Sequence, residues 1–304
     1  MKIFVLQAGE DWFCDRFANE WYKYRQDIST KNPYEADIIW LLPAWQWQKI
    51  PIELLRNKLV VATIHHIVPE KFNRNEFLLR DQFVDAYHVP CEKTKELISP
   101  YTNRPVYEIG YWYNPALWHP LDKKECRKEL GLPDDAFIVG SFQRDTEGYD
   151  LKSPKLEKGP DLFCDYLERN RVDNLLVLLN GWRRQYIINR LEEAGIKYQY
   201  EELPSYDIIQ KMYASCDMYL VSARYEGGPQ AILEAAAMKV PIISTNVGMA
   251  VKILPESCII DITKESYYPT EIDIEKAHIN VQKYNIKTHI EEYEKFFRMI
   301  GANR

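Results

Sequence analysis

Short apolar, β-branched runs alternate with longer amphipathic stretches along nearly the whole chain. This alternation is typical of β-α-β units, which build parallel sheets. A first series of strands is predicted at KIFVLQA, ADIIWLL, LVVATIHH, DAYHVP and PVYEIG, which begin at Lys2, Ala36, Leu59, Asp85 and Pro105. A second series is predicted at AFIVGSF, NLLVLLNG, IKYQYEEL, DMYLVSA, PIISTN and SCIIDI, which begin at Ala136, Asn174, Ile196, Asp217, Pro241 and Ser257.

The alternation of strands and helices is interrupted by one irregular stretch, and near the C-terminus it gives way to a helical pattern. Residues 111–135 contain three prolines and mixed polarity, which is typical of a linker followed by a short helix. The stretch IEKAHINVQKYNIKTHIEEYEKFFRMI predicts one long C-terminal helix. A chain of 304 residues is long enough for two domains, which we place at 1–115 and 116–275, followed by a helical tail at 276–304. Parallel sheets bind ligands at the carboxyl ends of their strands, so a site is expected in a cleft between the two domains.

Composition narrows the class of protein. Hydrophobic residues make up 46% and charged residues 28%, as in ordinary globular proteins, and the net charge of −6 argues against binding to nucleic acid through phosphate neutralisation. The six cysteines are scattered without a C-x-x-C pair, which favours a reducing cytoplasm over a disulfide framework or a zinc site. No run reaches the ~18 apolar residues of a membrane span, and the N-terminus enters a strand at once, without a signal segment. We therefore expect a cytoplasmic protein whose only membrane contact would be peripheral, at the inner face.

The stretch EGGPQAILEAAAM carries the clearest candidate chemistry. It follows a predicted strand, and Pro229 suits the first position of a helix because its missing N–H costs nothing there. Gly227 and Gly228 permit positive φ and a close approach to the backbone. The N–H groups of these glycines and of Gln230 and Ala231 face outward at the positive end of the helix dipole. This arrangement predicts a site for an anion such as phosphate.

Two glutamates flank this predicted anion site. Glu234 lies in the second turn of the helix, and its side chain leans back toward the N-terminus, where it can accept hydrogen bonds from a sugar diol such as ribose. Glu226 precedes the helix, on the other side of the phosphate. The alternative is that both are ordinary solvent-exposed charges, as most glutamates are. The coincidence of strand, glycines, proline and alanine-rich helix favours the ligand site.

The stretch EGGPQAILEAAAMKVPIIST closely resembles the signature of the retaining glycosyltransferases of family 4, which have the GT-B fold of two Rossmann-like domains. That signature reads approximately E-G-x-P-x-x-x-L-E-A-x-A-x-x-x-P-x-I-x-T. The resemblance implies an α/β fold in which two mainly parallel sheets face a central cleft. It also implies that Glu234 holds the ribose of a nucleotide-sugar donor and that Glu226 faces the transferred sugar.

A second match concerns the donor diphosphate. VGSFQRD followed by EKGPDLF resembles the family's strand with Gly-x-Arg and a downstream Lys-Gly, whose cations hold the diphosphate; these map to Arg144 and Lys158. The insertion DTEGYDLKSPKLE separates the two cations more widely than is usual in the family, so Lys152 and Lys155 stay open as alternatives to Lys158.

Further matches lie in the first domain and the tail. VATIHHIVP resembles the family's strand ending in His-Asp, which implies that His65 lies beside the donor sugar, although His66 replaces the aspartate. IGYWYNPALWHP resembles the interdomain segment, but Tyr111 and Trp112 replace its Asn-Gly. YNIKTHIEEYEKFF resembles the tail helix that crosses back to the first domain.

Acceptor binding falls to the first, N-terminal domain by the same analogy, and the second domain takes the nucleotide-sugar donor. AWQWQ presents Trp45 and Trp47, whose aromatic faces suit stacking on sugar rings or a membrane-interface edge, with His66 as a further acceptor candidate. A buried core is the alternative interpretation of these tryptophans. The QAGE loop offers Gly9 for a close approach to the donor phosphate.

The resemblance implies a retaining, hexosyltransferase-like glycosyltransferase that moves a sugar from a nucleotide-diphosphate-sugar to a saccharide or lipid-linked acceptor. Glu226 and His65 are the candidate catalytic residues. No metal or other cofactor is expected, because the cations and the helix start would neutralise the leaving nucleoside diphosphate. Two alternatives stay open: a nucleotide-sugar epimerase on the same fold, and a catalytically silent module that binds a nucleotide sugar or a partner protein. Uridine and guanosine donors are equally compatible with the sequence.

Overall fold

The computed structural model describes residues 1–10 and 13–302, and the chain forms two compact units. The first unit contains Met1–Trp112 together with the chain from Ile286 onward, and the second contains Tyr113–Asn285. Residues 113–115 and 276–285, which the sequence assigned to the first domain and to the tail, therefore lie in the second unit.

The strands follow the predicted alternation closely. The first unit contains β1 (Ile3–Val5), β2 (Ile38–Leu41), β3 (Leu59–Thr63), β4 (Ala86–Val89) and β5 (Val106–Glu108), and the second contains β6 (Phe137–Phe142), β7 (Leu175–Asn180), β8 (Lys197–Glu201), β9 (Met218–Val221) and β10 (Ile242–Ser244). Every pairing between these strands is parallel, and the two sheets have the orders β1-β2-β3-β4-β5 and β10-β9-β6-β7-β8. The predicted α/β fold with two parallel sheets is confirmed.

Helices connect the strands as β-α-β units require. They are α1 (Phe13–Tyr24), α2 (Ile52–Asn57), α3 (Arg74–Asp81), α4 (Glu92–Ile98), α5 (Lys123–Glu129), α6 (Pro160–Arg169), α7 (Gln185–Glu193), α8 (Tyr206–Ser215), α9 (Gln230–Ala237), α10 (Ala250–Ile253), α11 (Glu271–Val281) and α12 (Ile286–Ala302). Within the described ranges, no helix combines the length and the apolar character needed to cross a membrane. All six cysteines are buried and free.

The predicted strand SCIIDI is wrong. Glu256–Cys258 form a short 3-10 helix, and the following segment meets the sheet only through a single bridge between Ser244 and Ile259. Ser244 is the last residue of β10, and its carbonyl accepts the amide of Ile260 at 3.0 Å. Because β10 ends there, the segment has no further strand backbone to pair with, and it cannot continue as a strand.

The single long C-terminal helix is also a wrong prediction. The chain breaks between α11 and α12 at Asn285, whose ψ of 124° is extended. The amide of Tyr113 donates to the carbonyl of Tyr284 at 2.9 Å, and Tyr113 forms a bridge with Asn285. This pairing uses a carbonyl that a continuing helix would need for its own hydrogen bond, so the helix ends.

Aromatic side chains fill one face of the first sheet. Trp40 of β2 packs against Phe297 of α12, with the ring centroids 5.1 Å apart. Trp112 stacks on Phe17 at 3.5 Å and donates from its indole nitrogen to Glu20 at 2.8 Å. Tyr111 and Trp112, which the sequence placed in a linker, are therefore buried core residues of the first unit. Proline content marked the segment as irregular, but it carried no information on burial.

A chain of buried hydrogen bonds crosses this face. The indole of Trp40 donates to Thr63 at 2.8 Å, the Thr63 hydroxyl contacts Nδ1 of His88 at 3.0 Å, and Nε2 of His88 contacts the carbonyl of Ile109 at 2.8 Å. A carbonyl only accepts, so Nε2 of His88 carries the proton and Nδ1 accepts. Burial lowers the pKa of His88 to about 4. The imidazole is therefore neutral at pH 7.

We predict that the free energy of unfolding falls as pH drops from about 6.5 toward 4. In that window the unfolded chain protonates His88 and the folded chain does not, so stability is complete above about pH 6.5 and is lost at up to about 1.4 kcal/mol per pH unit below it. The amide of His88→Gln can donate and accept without titrating. Urea unfolding at pH 7.5 and pH 5 should therefore show that the free energy of unfolding falls by about 2 kcal/mol less in this variant than in wild type. His119→Gln, at an exposed histidine, is the control. An identical pH dependence in wild type and His88→Gln would contradict the assignment.

Candidate functional site

The glycine motif lies in the loop between β9 and α9. Helix α9 begins at Gln230, and Pro229 is its N-cap, with φ of −60° and ψ of 113°. The helix thus starts one residue later than predicted, because the extended ψ keeps Pro229 outside it. Gly227 and Gly228 precede the cap, and Gln230 and Ala231 supply the first amides of the helix, at the positive end of its dipole.

A close backbone contact holds this loop from the β10 side. Gly248 has a φ of +49°, and a Cβ at this position would lie 2.1 Å from the carbonyl oxygen of Gly227. Only glycine permits both the conformation and the approach. The sequence analysis missed Gly248, although a lone glycine soon after a predicted strand was the available signal.

The segment that carries Lys158 is fastened to the start of the same loop. Gly159 has a φ of +62°, and a Cβ there would lie 1.9 Å from the carbonyl oxygen of Ser222. Arg224 forms a bidentate ion pair with Asp161 at 2.7 and 2.6 Å. Its amide also donates to the carbonyl of Glu157 at 2.9 Å. Residues 157–161 and 222–224 are thus joined by backbone and side-chain contacts.

Lys158 and Glu226 form an ion pair across this junction. Their side chains are only 17% and 13% exposed, so solvent screens the pair weakly. The structure thereby brings together a predicted phosphate-binding residue and a predicted catalytic residue. Glu226 is not the ordinary solvent-exposed charge of the alternative interpretation.

Two further cations lie near Lys158. Lys155 is mostly buried, with its ammonium 3.6 Å from the carboxylate of Glu157. Burial lowers the pKa of Lys155, and the positive charges of Arg144 and Lys158 lower it further. Arg144 forms no hydrogen bond or ion pair with the other described residues. Lys152 is exposed, which favours Lys155 over Lys152 as the additional cation of the site.

A buried ion pair supports the loop that carries Arg144. Arg184 and Asp145 are both fully buried and are paired through Nε of the arginine. The Arg184 guanidinium also donates to the carbonyl of Ser141 at 2.6 Å and to the carbonyl of Asn180. It therefore ties the carboxyl ends of β6 and β7 to the residue after Arg144. Burial raises the pKa of Asp145, although the charge of Arg184 acts to lower it.

The sequence analysis did not find this pair. Arg183 and Arg184 are adjacent after an apolar strand, and nothing in the sequence distinguishes the buried arginine from its neighbour. Charge placed directly after a strand was the only available signal.

Glu234 is a buried carboxylate with a defined partner. It is 6% exposed and accepts a hydrogen bond from the hydroxyl of Tyr213 at 2.9 Å. Burial raises the pKa of Tyr213 well above its ordinary value, so the phenol keeps its proton and acts as the donor. A carboxylate has lone pairs for about four hydrogen bonds, so the bond from Tyr213 does not by itself exhaust the acceptor capacity of Glu234.

The first unit contains the other predicted residues, with His65 after the end of β3. Nε2 of His65 contacts the carbonyl of Leu42 at 2.9 Å, and Nδ1 contacts the Tyr111 hydroxyl. The carbonyl partner requires the proton on Nε2, so Nδ1 accepts from Tyr111. Both ring nitrogens therefore have partners within the first unit, and a hydrogen bond from either nitrogen to a sugar would require an exchange of partners. His66, the adjacent acceptor candidate, is partly exposed.

The two tryptophans of AWQWQ have different environments. Trp45 is exposed and approaches His65 edge-on, with the ring centroids 5.7 Å apart. Trp47 packs against Phe83 at 5.5 Å and is a partly buried residue at the apolar core of the first unit. Only Trp45 therefore offers an open aromatic face, and Trp47 fits the core interpretation.

Gly9 has a positive φ, at +75°. Its amide donates to the carboxylate of Asp15 at 3.0 Å, and the amide of Glu10 donates to the same group at 2.7 Å. The amide of Gly9 is therefore not available to a phosphate, because it already donates to the buried carboxylate of Asp15. That carboxylate would also repel an anion.

The predicted residues thus form two groups, one in each unit. At the carboxyl ends of β6 and β9 and the start of α9 lie Arg144, Lys158, Glu226, Gly227, Gly228, Gln230, Ala231 and Glu234. After the carboxyl ends of β1, β2 and β3 lie Gly9, Trp45, Trp47, His65 and His66.

Comparison with known proteins gives a consistent result for the second unit. The family model described as Glycosyl transferases group 1 matches residues 123–257. The O-antigen biosynthesis glycosyltransferase WclY of Escherichia coli is 24% identical over 162 residues, which are 49% of this chain and 43% of WclY. A glycogen synthase of Fervidobacterium nodosum is 29% identical over 156 residues, which are 50% of this chain and 30% of the synthase. The chain thus spans less than half the length of these two relatives.

Solved structures extend the likeness to nearly the whole chain. Anabaena HepE in complex with UDP and glucose gives a TM-score of 0.76 at 14% identity and covers 98% of this chain and 100% of that chain. Sucrose-phosphate synthase from Thermosynechococcus elongatus gives 0.69 at 16% identity and covers 89% and 75% of the two chains. At these identities the likeness shows the fold. The chain therefore contains a glycosyl transferases group 1 domain, at residues 123–257, within an α/β structure similar to those of GT-B glycosyltransferases.

Proposed function

We propose that the protein is a glycosyltransferase that moves a sugar from a nucleotide-diphosphate-sugar to a saccharide or lipid-linked acceptor. The observation that carries this proposal is the ion pair of Lys158 with Glu226, four residues before the start of α9, with the charges of Lys155 and Arg144 nearby. The glycosyl transferases group 1 domain and the complex of HepE with UDP and glucose support the same class of donor.

The diphosphate would bind where the cations and the helix amides converge. Burial lowers the pKa of Lys155, and repulsion from Arg144 and Lys158 lowers it further; a bound dianion would relieve that repulsion. Gly227 and Gly228 let the phosphate approach the backbone closely. The ribose would then lie beside Glu234, since a carboxylate can accept hydrogen bonds from a diol.

In the transfer step, the bond between the anomeric carbon and the diphosphate oxygen breaks, the acceptor hydroxyl oxygen forms the new bond to that carbon, and the hydroxyl proton passes to the departing diphosphate. Negative charge develops on the departing nucleoside diphosphate, and preorganised cations stabilise it most at that point. The arginine and lysines can neutralise this charge, so the proposed reaction needs no metal ion or other cofactor. Retention of configuration is proposed on the resemblance to family 4.

Glu226 is proposed to act beside the transferred sugar. Its ion pair with Lys158 holds the ammonium in place before the donor binds, and an ammonium has three donor hydrogens, enough to serve a carboxylate and a phosphate together. In the first unit, His65 is proposed to face the donor sugar. Trp45 and His66 are proposed to bind the acceptor.

We predict that Glu226→Gln lowers turnover by at least about 10²-fold, the scale of losing one well-placed polar group in a transition state. The melting temperature should change by only a few degrees, because the amide oxygen can still accept from Lys158. The measurement is nucleoside diphosphate release from a panel of UDP- and GDP-sugars with candidate acceptors. Glu193→Gln, at an exposed glutamate on α7, controls for the loss of one charge. Turnover equal to that of wild type would refute the role of Glu226.

The same assay separates the alternative functions. A catalytically silent module would bind a nucleotide sugar without releasing nucleoside diphosphate in the presence of any acceptor. An epimerase would convert the donor sugar and leave its diphosphate bond intact.

For Arg144→Ala we predict weaker binding of nucleoside diphosphate, by about 10- to 100-fold, because a hydrogen bond to a charged group contributes about 1.5 to 3 kcal/mol. Isothermal titration calorimetry with UDP and GDP measures this directly. Arg171→Ala is the matched control, since Arg171 is exposed, precedes β7 and donates to the carbonyls of Ala194 and Gly195. Full affinity in Arg144→Ala would remove Arg144 from the site.

A further inference from the structure

Trp182 is an exposed aromatic residue beside the proposed phosphate site. It lies between β7 and α7, in the loop that follows the carboxyl end of β7, and 45% of its surface is accessible. The sequence analysis did not single out Trp182, and the proposed function gives it no role.

The loop that carries Trp182 is joined to the loop that carries Arg144. Gly181 has a φ of +101°, and a Cβ there would lie 3.0 Å from the carbonyl oxygen of Gln143. On the other side, the amide of Thr146 donates to the carbonyl of Arg183 at 3.1 Å. The residues before and after Trp182 therefore contact the backbone before and after Arg144. The loop that carries Trp182 is therefore held beside the loop that carries Arg144.

The indole is also held from one face. The guanidinium of Arg183 lies 3.9 Å from the ring centroid. Arg183 has a φ of 59°, in the left-handed region that a non-glycine residue seldom adopts. A Cβ on Gly148 would lie 1.9 Å from the same guanidinium, so this position of Arg183 depends on a glycine in the insertion. Gly148 of the insertion, the guanidinium of Arg183 and the indole of Trp182 thus lie in successive layers, and the indole is the exposed outer layer.

We propose that Trp182 stacks on the nucleobase of the donor, and this rests on the proposed function of the phosphate site. A nucleoside diphosphate held by Arg144 carries a flat aromatic base within reach of the neighbouring loop. An indole that is fixed on one side loses little entropy when a base covers its other side. Stacking requires no hydrogen-bond pattern, because every base has an aromatic face. Trp182 therefore adds affinity for uridine and guanosine donors alike.

The test separates the base from the phosphates. Calorimetry compares UDP, GDP and inorganic pyrophosphate on wild type, Trp182→Ala and Trp182→Phe. Trp182→Ala should weaken UDP and GDP binding by between about 5-fold and 150-fold and leave pyrophosphate binding unchanged. Trp182→Phe should restore most of the lost affinity. Tyr268→Ala is the control, since Tyr268 is 52% exposed in the same unit and packs on Phe137, at the amino end of β6.

Four results would overturn the inference. Unchanged affinity for UDP and GDP in Trp182→Ala would mean that the indole serves another ligand, such as an acceptor sugar or a protein. An equal loss of pyrophosphate affinity would mean that Trp182 acts through the structure of the phosphate site. If wild type binds pyrophosphate as tightly as UDP and GDP, the base subsite is absent and the phosphate site stands. If wild type binds none of the three, the proposed function fails, and the inference fails with it.

Discussion

The buried ion pair of Arg184 and Asp145 is the constraint on which the candidate site depends. Burying two charges is costly unless they are paired and their remaining hydrogen bonds are made. Here the guanidinium meets that condition, because it also donates to the carbonyls of Ser141 and Asn180 at the ends of two neighbouring strands. Removing one partner would leave the other charge uncompensated, at a cost of about 3 to 5 kcal/mol. The position of the loop that carries Arg144 thus depends on Arg184 and Asp145, which are buried and are not proposed to contact the ligand.

Two glycines hold other loops of the candidate site in position in the second unit. Gly159 brings the Lys158 segment onto the backbone of Ser222, and Gly248 brings the loop after β10 onto Gly227. Each contact replaces a side chain with direct backbone packing, which fixes a loop more tightly than side chains can. The cations Lys155 and Lys158 are then held near one another before any anion arrives. Burial lowers the pKa of Lys155, and the neighbouring positive charges lower it further. Such preorganisation is what an electrostatic site requires.

Sequence reasoning reached the features that depend on local periodicity and local backbone chemistry. It found ten strands of the two sheets and the helix start after the glycines, and it selected a glutamate, Glu226, that the structure pairs with the selected Lys158. It failed where distant segments decide the outcome. The long C-terminal helix breaks because Tyr113 pairs with the chain at residues 284 and 285, and SCIIDI loses its strand because β10 ends at Ser244.

Burial was the other quantity that the sequence did not contain. Trp112 follows the last strand of the first sheet within a proline-containing stretch, yet it is stacked in an aromatic core. Gly9 was predicted to approach a phosphate, but its amide donates to Asp15. Arg184 and Asp145 look like surface charges in the sequence and are fully buried in the structure. In each case a partner that is not a neighbour in sequence determines the role of the residue, and hydrophobic periodicity does not identify such partners.

The central claim is that a diphosphate is held by cationic side chains and by the amides at the start of α9. The most direct measurement is a crystal structure of the protein soaked with UDP. The account predicts a diphosphate in contact with Arg144 and the Gly228 amide, with the ribose hydroxyls on Glu234. A diphosphate bound elsewhere, with Arg144 remote from it, would contradict the account.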